Sequence, residues 1–211
     1  VYAMFTPIPT VGDPQEEAFF AEPTVLKLHY TADEFEAILA QPENADKALE
    51  LINGRITQKR VSVKHGMLVI RLGTRLKMFV EADQLGTVST EAHFRAANDP
   101  YNELAPDLCF LTNDKPITDD AVMIGMPDLA IEIKSPSNTY KELREKAGTY
   151  IWGGSRLVWL VYPERQTVEV VTRSADTPDA VVVISLSVND ALDGGDVLPG
   201  FTLTVKDIFS A

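Results

Sequence analysis

Cysteine is almost missing from this chain, with Cys109 alone among 211 residues. A single thiol closes no intrachain disulfide and builds no cysteine-rich zinc site. Its setting between Leu108 and Phe110 is that of a small apolar core residue. Long apolar runs are missing too. No stretch reaches the roughly 20 residues that span a bilayer, so no membrane association is expected. The start Val1-Tyr2-Ala3-Met4 lacks the charged-then-apolar order of a signal peptide, and a cytoplasmic location is the expectation. Neither a Gly-rich phosphate loop nor a Gly-x-Ser-x-Gly elbow occurs. Nucleoside triphosphatase, serine hydrolase and nucleotide-cofactor readings therefore have no support. Internal repeats and low-complexity tracts are absent as well.

What is present is an ordinary globular composition, 45% apolar, with a net charge of -12. That total argues against nucleic-acid binding driven by overall charge. Its distribution is more informative. Residues 51–80 hold Arg55, Lys59, Arg60, Lys64, Arg71, Arg75 and Lys77 and no acid. A local basic face on an acidic protein is one reading; a solvated helix face paired with acids from elsewhere is the other.

Four prolines at 7, 9, 14 and 23 make residues 1–24 a flexible N-terminal arm ahead of one domain over 25–211. The capping box Thr31-Ala-Asp-Glu34 opens a short helix that Pro42 ends. Asn53-Gly54 turns a hairpin between residues 49–52 and 55–58. Met67, Leu68, Leu72, Leu76 and Phe79 keep helical spacing over 64–80. Strands are expected near 86–95, 105–111, 128–134, 156–161, 167–172 and 180–186. A helix is expected from 137 to a stop at Gly153-Gly154, with a short helix closing the chain. The fold class is α/β (α+β), a mixed, mostly antiparallel sheet flanked by helices.

The strand Asp-Leu-Ala-Ile-Glu-Ile-Lys at 128–134 carries the most chemistry. Period-2 alternation sends Leu129, Ile131 and Ile133 to one face and Asp128, Ala130, Glu132 and Lys134 to the other. Glu132 and Lys134 then stand about 7 Å apart along the strand, near enough for one carboxylate and one ammonium to serve the same substrate. A half-exposed strand with a solvated Glu/Lys face fits the same pattern. Upstream, Pro106-Asp107 starts a second strand, and two neighbouring strands can bring Asp107 and Glu132 to one ion. Oxygen ligands of this kind suit Mg²⁺, or Mn²⁺. Asp128 is too near Glu132 in sequence to be the separate-strand partner; it starts the strand or caps a neighbour.

Pro106-Asp107 followed by Glu132-Ile133-Lys134 resembles the PD-(D/E)XK nuclease superfamily. Further motifs widen the likeness. Glu50-Leu51-Ile52-Asn53-Gly54, His65, Ser135-Pro136-Ser137, Lys146 with Tyr150, Trp159 through Pro163, and Asp196 through Phe201 are similar to the Uma-two family of restriction endonucleases, over roughly residues 30 to 209. The resemblance implies a restriction-endonuclease-like core. It also implies hydrolysis of DNA phosphodiester bonds with Mg²⁺ on Asp107, Glu132 and the Ile133 carbonyl. Lys134 would be the catalytic lysine and Glu50 an auxiliary acid, although a surface acid beside a turn explains Glu50 equally. Lys64, His65, Arg71 and Lys146 would meet the nucleic acid, while capping or packing also accounts for His65. A duplex-cutting enzyme with one site per chain would act as a homodimer. The alternative is a catalytically weak or inactive module that keeps the fold to bind nucleic acid or protein.

Overall fold

A computed structural model describes residues 29–136, 138–177 and 179–210; the expected arm over 1–24 lies outside them. In chain order, helix α1 (Ala32–Leu39) leads through a 3₁₀ turn to strands β1 (Leu49–Ile52) and β2 (Arg55–Gln58). Helix α2 (Val63–Ala82) and strands β3 (Gly86–Ser89), β4 (His93–Arg95), β5 (Leu108–Thr112), β6 (Val122–Ile124) and β7 (Leu129–Ile133) follow. Helix α3 (Tyr140–Gly153) precedes β8 (Leu157–Tyr162), β9 (Thr167–Arg173) and β10 (Val181–Leu186), and the described chain closes with β11 (Ala191–Gly194), β12 (Leu198–Thr204) and α4 (Val205–Phe209).

The architecture is mixed α+β. Its main sheet runs β10-β9-β8-β7-β5-β3, antiparallel throughout except for the parallel β7–β8 pair. Parallel neighbours need a crossover, and α3 is that crossover. It therefore lies over the strands it joins.

Both faces of the central strands β7 and β8 are buried. On one, Leu129, Ile131 and Ile133 of β7 and Leu157, Trp159 and Val161 of β8 pack with Leu68, Leu72, Leu76 and Val80 of α2 and Ile208 of α4. On the other, Ala130, Val158, Leu160 and Tyr162 meet Leu143, Ala147, Tyr150 and Ile151 of α3, with Cys109 buried among them. The solvated-face alternative for β7 is thereby excluded, because all five of its residues are buried.

The local signals explain the element ends. Thr31 and Glu34 cap α1 reciprocally. Asn53 and Gly54 both take positive φ, 49° and 72°, which the two-residue hairpin turn requires. A Cβ on Gly54 would lie 2.4 Å from the His29 ring, so glycine is needed there on two counts.

Three expectations change. The run 86–95 is two strands, broken at Glu91, which takes φ 54° and donates its N–H to the Pro106 carbonyl. β4 turns away to pair in parallel with β6, a strand of three residues that reads as loop. β11 and β12 form an antiparallel hairpin with a register shift at Asp193/Gly194, in a stretch whose glycines and proline signal only irregularity. Among the described residues no helix is long and apolar enough to cross a membrane.

Candidate active site

The β5–β7 register pairs Leu108 with Ile131 and Cys109 with Ala130. One step further, Asp107 stands opposite Glu132, on the face that α3 covers. Asp107 is fixed by three donors. Its Oδ2 accepts the Ile133 N–H at 2.7 Å and lies 3.0 Å from His65 Nε2. Its Oδ1 takes the Lys59 ammonium at 3.1 Å.

The β1–β2 hairpin brings in the third carboxylate. Leu51 and Glu103 exchange backbone hydrogen bonds at 2.9 Å, and Glu50 Oε1 accepts the Ala105 N–H at 2.7 Å. These contacts pin Glu50 beside the start of β5. Lys59, just past β2, also donates to the Ala105 carbonyl and has Glu50 and Glu91 within 3.9 Å. From α3, Lys146 Nζ reaches Glu50 Oε1 and Glu132 Oε1, both at 2.6 Å. One turn along the same helix face, the Tyr150 hydroxyl donates to Glu132 Oε1 at 2.7 Å. Glu50, Asp107, Glu132, Lys59, His65 and Lys146 line one cavity of about 540 Å³, with Arg55, Arg60, Asn138 and Glu142 also on its wall.

Three buried carboxylates thus share two ammonium groups and an imidazole, and they share them unequally. Burial opposes charge on Asp107, but the His65 hydrogen bond, the Lys59 charge and the Ile133 amide hold its carboxyl well below the usual range. Burial pushes Glu132 up to about 7, against the pull of Lys146 and Lys59. The reason for the difference is that Glu132 shares its nearest cation with Glu50, whereas Asp107 has its own donors. Burial works against the Lys59 ammonium, yet Glu132, Glu50, Asp107 and Glu91 keep it well above an ordinary lysine. His65 is likewise raised by Asp107 despite its burial. Burial beside Glu132 and Glu50 holds the Tyr150 phenol far above its ordinary value, so it stays a donor.

Of the residues singled out in the sequence, Asp107, Glu132, Glu50, His65, Lys146 and the Ile133 backbone come together. Lys134, Lys64 and Arg71 do not join them. β7 ends at Ile133, and Lys134 just past it keeps the face of Glu132 but turns its side chain away from that carboxylate. That residue's Nζ runs to Glu164 at 3.0 Å and lies over the Tyr140 ring. Lys64 is exposed on α2. Arg71 donates to the Ile208 carbonyl at 2.9 Å, tying α2 to α4. Lys146 was expected at a phosphate; it is buried between two carboxylates because α3 lies directly over β7 and β8. Asp128 accepts from the Thr112 N–H and hydroxyl at 3.0 and 2.9 Å, a bracing contact between strands. Lys59 was missed, since one lysine in a basic run reads as a surface charge.

Among the described residues no group of three or more His, Cys, Asp or Glu side chains is already set to hold a metal ion. The donor chemistry is nonetheless that of a hard cation. Among the described residues, Asp107 Oδ1 faces only the Lys59 ammonium. Glu50 Oε2 and Glu132 Oε2 accept no hydrogen bond among the described residues. Ile133 turns its N–H towards Asp107, and the carbonyl of a strand residue points to the same side as its amide.

The fold is a mixed sheet with α3 crossing between parallel β7 and β8, with one acid just before β5 and another in β7. A solved structure titled as a putative nuclease belonging to DUF820, from Anabaena variabilis ATCC 29413, shares that fold at TM-score 0.70. It is 22% identical in sequence, and the match covers 85% of this chain and 97% of that one. The family model Uma2, described as "Putative restriction endonuclease", matches residues 32–206, and the chain belongs to that family. No curated protein matches it.

Proposed function

We propose that the protein is a metal-dependent endonuclease hydrolysing DNA phosphodiester bonds. The observation that carries this reading is the buried meeting of Glu50, Asp107 and Glu132 in one cavity with two lysines. Three carboxylates gathered away from solvent are costly unless cations hold them there. Family membership supports the reaction class.

Asp107, Glu132 and the Ile133 carbonyl would hold Mg²⁺ or Mn²⁺, with Glu50 completing the shell. Bound there, the ion would supply Lewis acidity to the scissile phosphate and to the attacking water. The chain's own groups have separate tasks. His65 orients Asp107, and the Tyr150 hydroxyl orients Glu132. Lys59 neutralises Asp107, the carboxylate that would otherwise face a divalent cation alone. Lys146 is the lysine that touches Glu132, so it takes the role that the sequence pattern suggests for Lys134. Its ammonium would offset charge developing on the phosphate. Arg55 and Arg60 on the cavity wall, with exposed Lys64 nearby, would meet the nucleic-acid backbone. Action on both strands calls for a second copy of the site, hence a homodimer.

One observation favours a second reading. Each of the three acids already has an ammonium group on one oxygen without a metal, as a module retained for binding nucleic acid or protein would require. Cleavage of supercoiled plasmid with Mg²⁺ or Mn²⁺ separates the two. The nuclease reading expects cutting that Glu132→Ala abolishes. It expects in addition a Mg²⁺- or Mn²⁺-dependent rise in Tm that Asp107→Ala removes. Absence of cutting in both metals, or cutting that survives Glu132→Ala, rejects it.

A further inference from the structure

Helix α3 turns one side to the acids and lines a second groove with the next. Glu145, Gly148 and Trp152 recur at helical spacing on one face and form one wall of a groove of about 820 Å³. Asn53 of the hairpin turn, residues 96–99 after β4, and Asn102 form the other wall. The groove continues the acid cavity, because Asn53 and Glu145 border both. Lys146, which touches Glu50 and Glu132, lies about 9 Å from Trp152 along the helix axis.

The wall facing α3 is braced. Asn53 donates its N–H to Asn102 Oδ1 at 2.8 Å, and Asn102 Nδ2 donates to Asp99 Oδ2 at 2.8 Å. Asp99 Oδ1 accepts the Tyr101 N–H at 2.9 Å. The side-chain amides of Asn53 and Asn98, by contrast, have no hydrogen-bond partner among the described residues. On the helix side the groove is left open, since a Cβ on Gly148 would meet only the edge of the Trp152 ring, at 3.9 Å. Trp152 is 46% exposed, whereas an indole used for packing is buried. The Arg173 guanidinium lies 4.9 Å from its ring centroid and has no carboxylate partner among the described residues.

The chemistry of the walls selects the ligand. Asp99 and Glu145 stand on opposite walls and disfavour a phosphate inside the groove. A flat, uncharged group with donors and acceptors along its edge matches an indole beside free carboxamides. A nucleobase is such a group, and its strand would carry one phosphate towards Arg173 and another towards the acids. A base inside a duplex is stacked and paired, so it offers neither its face nor its pairing edge.

We propose that this groove holds one unpaired nucleobase of a DNA strand whose phosphodiester lies at the acids, with the base stacked on Trp152, Asn53 and Asn98 at its edge, and Arg173 on a flanking phosphate. The class of ligand rests on the nuclease reading. The groove adds to it that the substrate is single-stranded or locally unpaired DNA.

Binding without turnover tests it. In chelator at low salt, the full chain is mixed with a labelled oligothymidylate of about ten nucleotides and, separately, with a blunt duplex of the same length. Trp159 is fully buried, so quenching of tryptophan emission reports Trp152. The single strand is expected to quench that emission and to bind about tenfold more tightly than the duplex. By anisotropy, Trp152→Leu should weaken single-strand binding about tenfold, and Trp152→Tyr should retain most of it. Gly148→Leu, which fills the groove, should weaken it similarly. Absence of quenching, equal affinity for the two forms, or single-strand affinity unchanged in Trp152→Leu overturns the inference. None of these readouts needs cleavage. Plasmid cutting alongside single-strand affinity indifferent to Trp152→Leu rejects the groove and leaves the nuclease reading standing; single-strand binding that depends on Trp152, without cutting, does the reverse.

Discussion

β7 turns three side chains to α2 and two to α3, and the two sheet faces hold the fold by different means. On the α2 face every inward residue is apolar, and the packing is shared among many equivalent contacts. On the α3 face the apolar contacts of Ala130, Val158, Leu160 and Tyr162 continue into Glu132 and its cations, with Glu169 bound to Arg144 and Tyr162 beyond. Burial is equally complete on both. The lesson is that a charge can be as deeply placed as a leucine, but only with named partners, and each partner then becomes indispensable. Loss of one leucine leaves its neighbours in contact; loss of one ammonium strands two carboxylates.

The largest effect that tests this contrast is catalytic. Glu132→Gln keeps the shape and is expected to lower plasmid cleavage by roughly 10³-fold, equivalent to about 4 kcal/mol of barrier, with little change in the urea midpoint. Next, Lys146→Met should destabilise by about 3–5 kcal/mol, because Glu50 and Glu132 lose their common cation. Adding Glu50→Gln and Glu132→Gln to it should recover most of that loss in the same urea titration. On the other face, Leu72→Ala should cost about 3 kcal/mol through the cavity it leaves, while cleavage per folded molecule stays unchanged.

A smaller effect is the dependence on pH. Glu132 is raised from its ordinary 4.5 to about 7, and His65 is raised above 6.5. Both groups bind protons more tightly in the folded chain, so their contribution is full below the unfolded values and is lost as pH rises through the folded ones. Tm in chelator should therefore fall between pH 5 and 8, and less steeply in Glu132→Gln. Asp107 has the opposite sign: its contribution is full above the ordinary carboxylate value of 3.8 and is lost as pH falls from there towards its depressed value. The smallest effect belongs to the exposed Lys77–Glu81 pair. Lys77→Ala should shift stability by less than about 0.5 kcal/mol.

Much of this was legible from short patterns whose physics is local. Asn53-Gly54 announced the hairpin because few dipeptides accept two positive φ angles. Asp107 and Glu132 were readable as a pair because each sits at the end of an apolar strand, and neighbouring strands bring such ends together. Lys134 keeps the face that alternation assigns it but ends at Glu164 and Tyr140, because period-2 spacing fixes the face of a long side chain and not where its tip goes. Lys59 left no signal, since a lysine's role depends on where its long side chain ends, and here that is 48 residues away in sequence at Asp107. β4, β6 and β11 were obscured by their shortness, and β12 by Pro199 and Gly200 within it. Strands of three or four residues show too few alternations to separate from loop.

The separation of contacts around the acids has a kinetic meaning. His65 meets Asp107 across 42 residues, Glu50 meets Ala105 across 55, and Lys146 meets Glu50 across 96. None of these pairs can form until long loops of chain have closed, and such contacts are made slowly. The charged centre is therefore expected among the late events of folding, after the β8–β9 and β9–β10 hairpins. A half-folded chain would hold its carboxylates apart, and chemistry would begin only in a molecule that had finished folding.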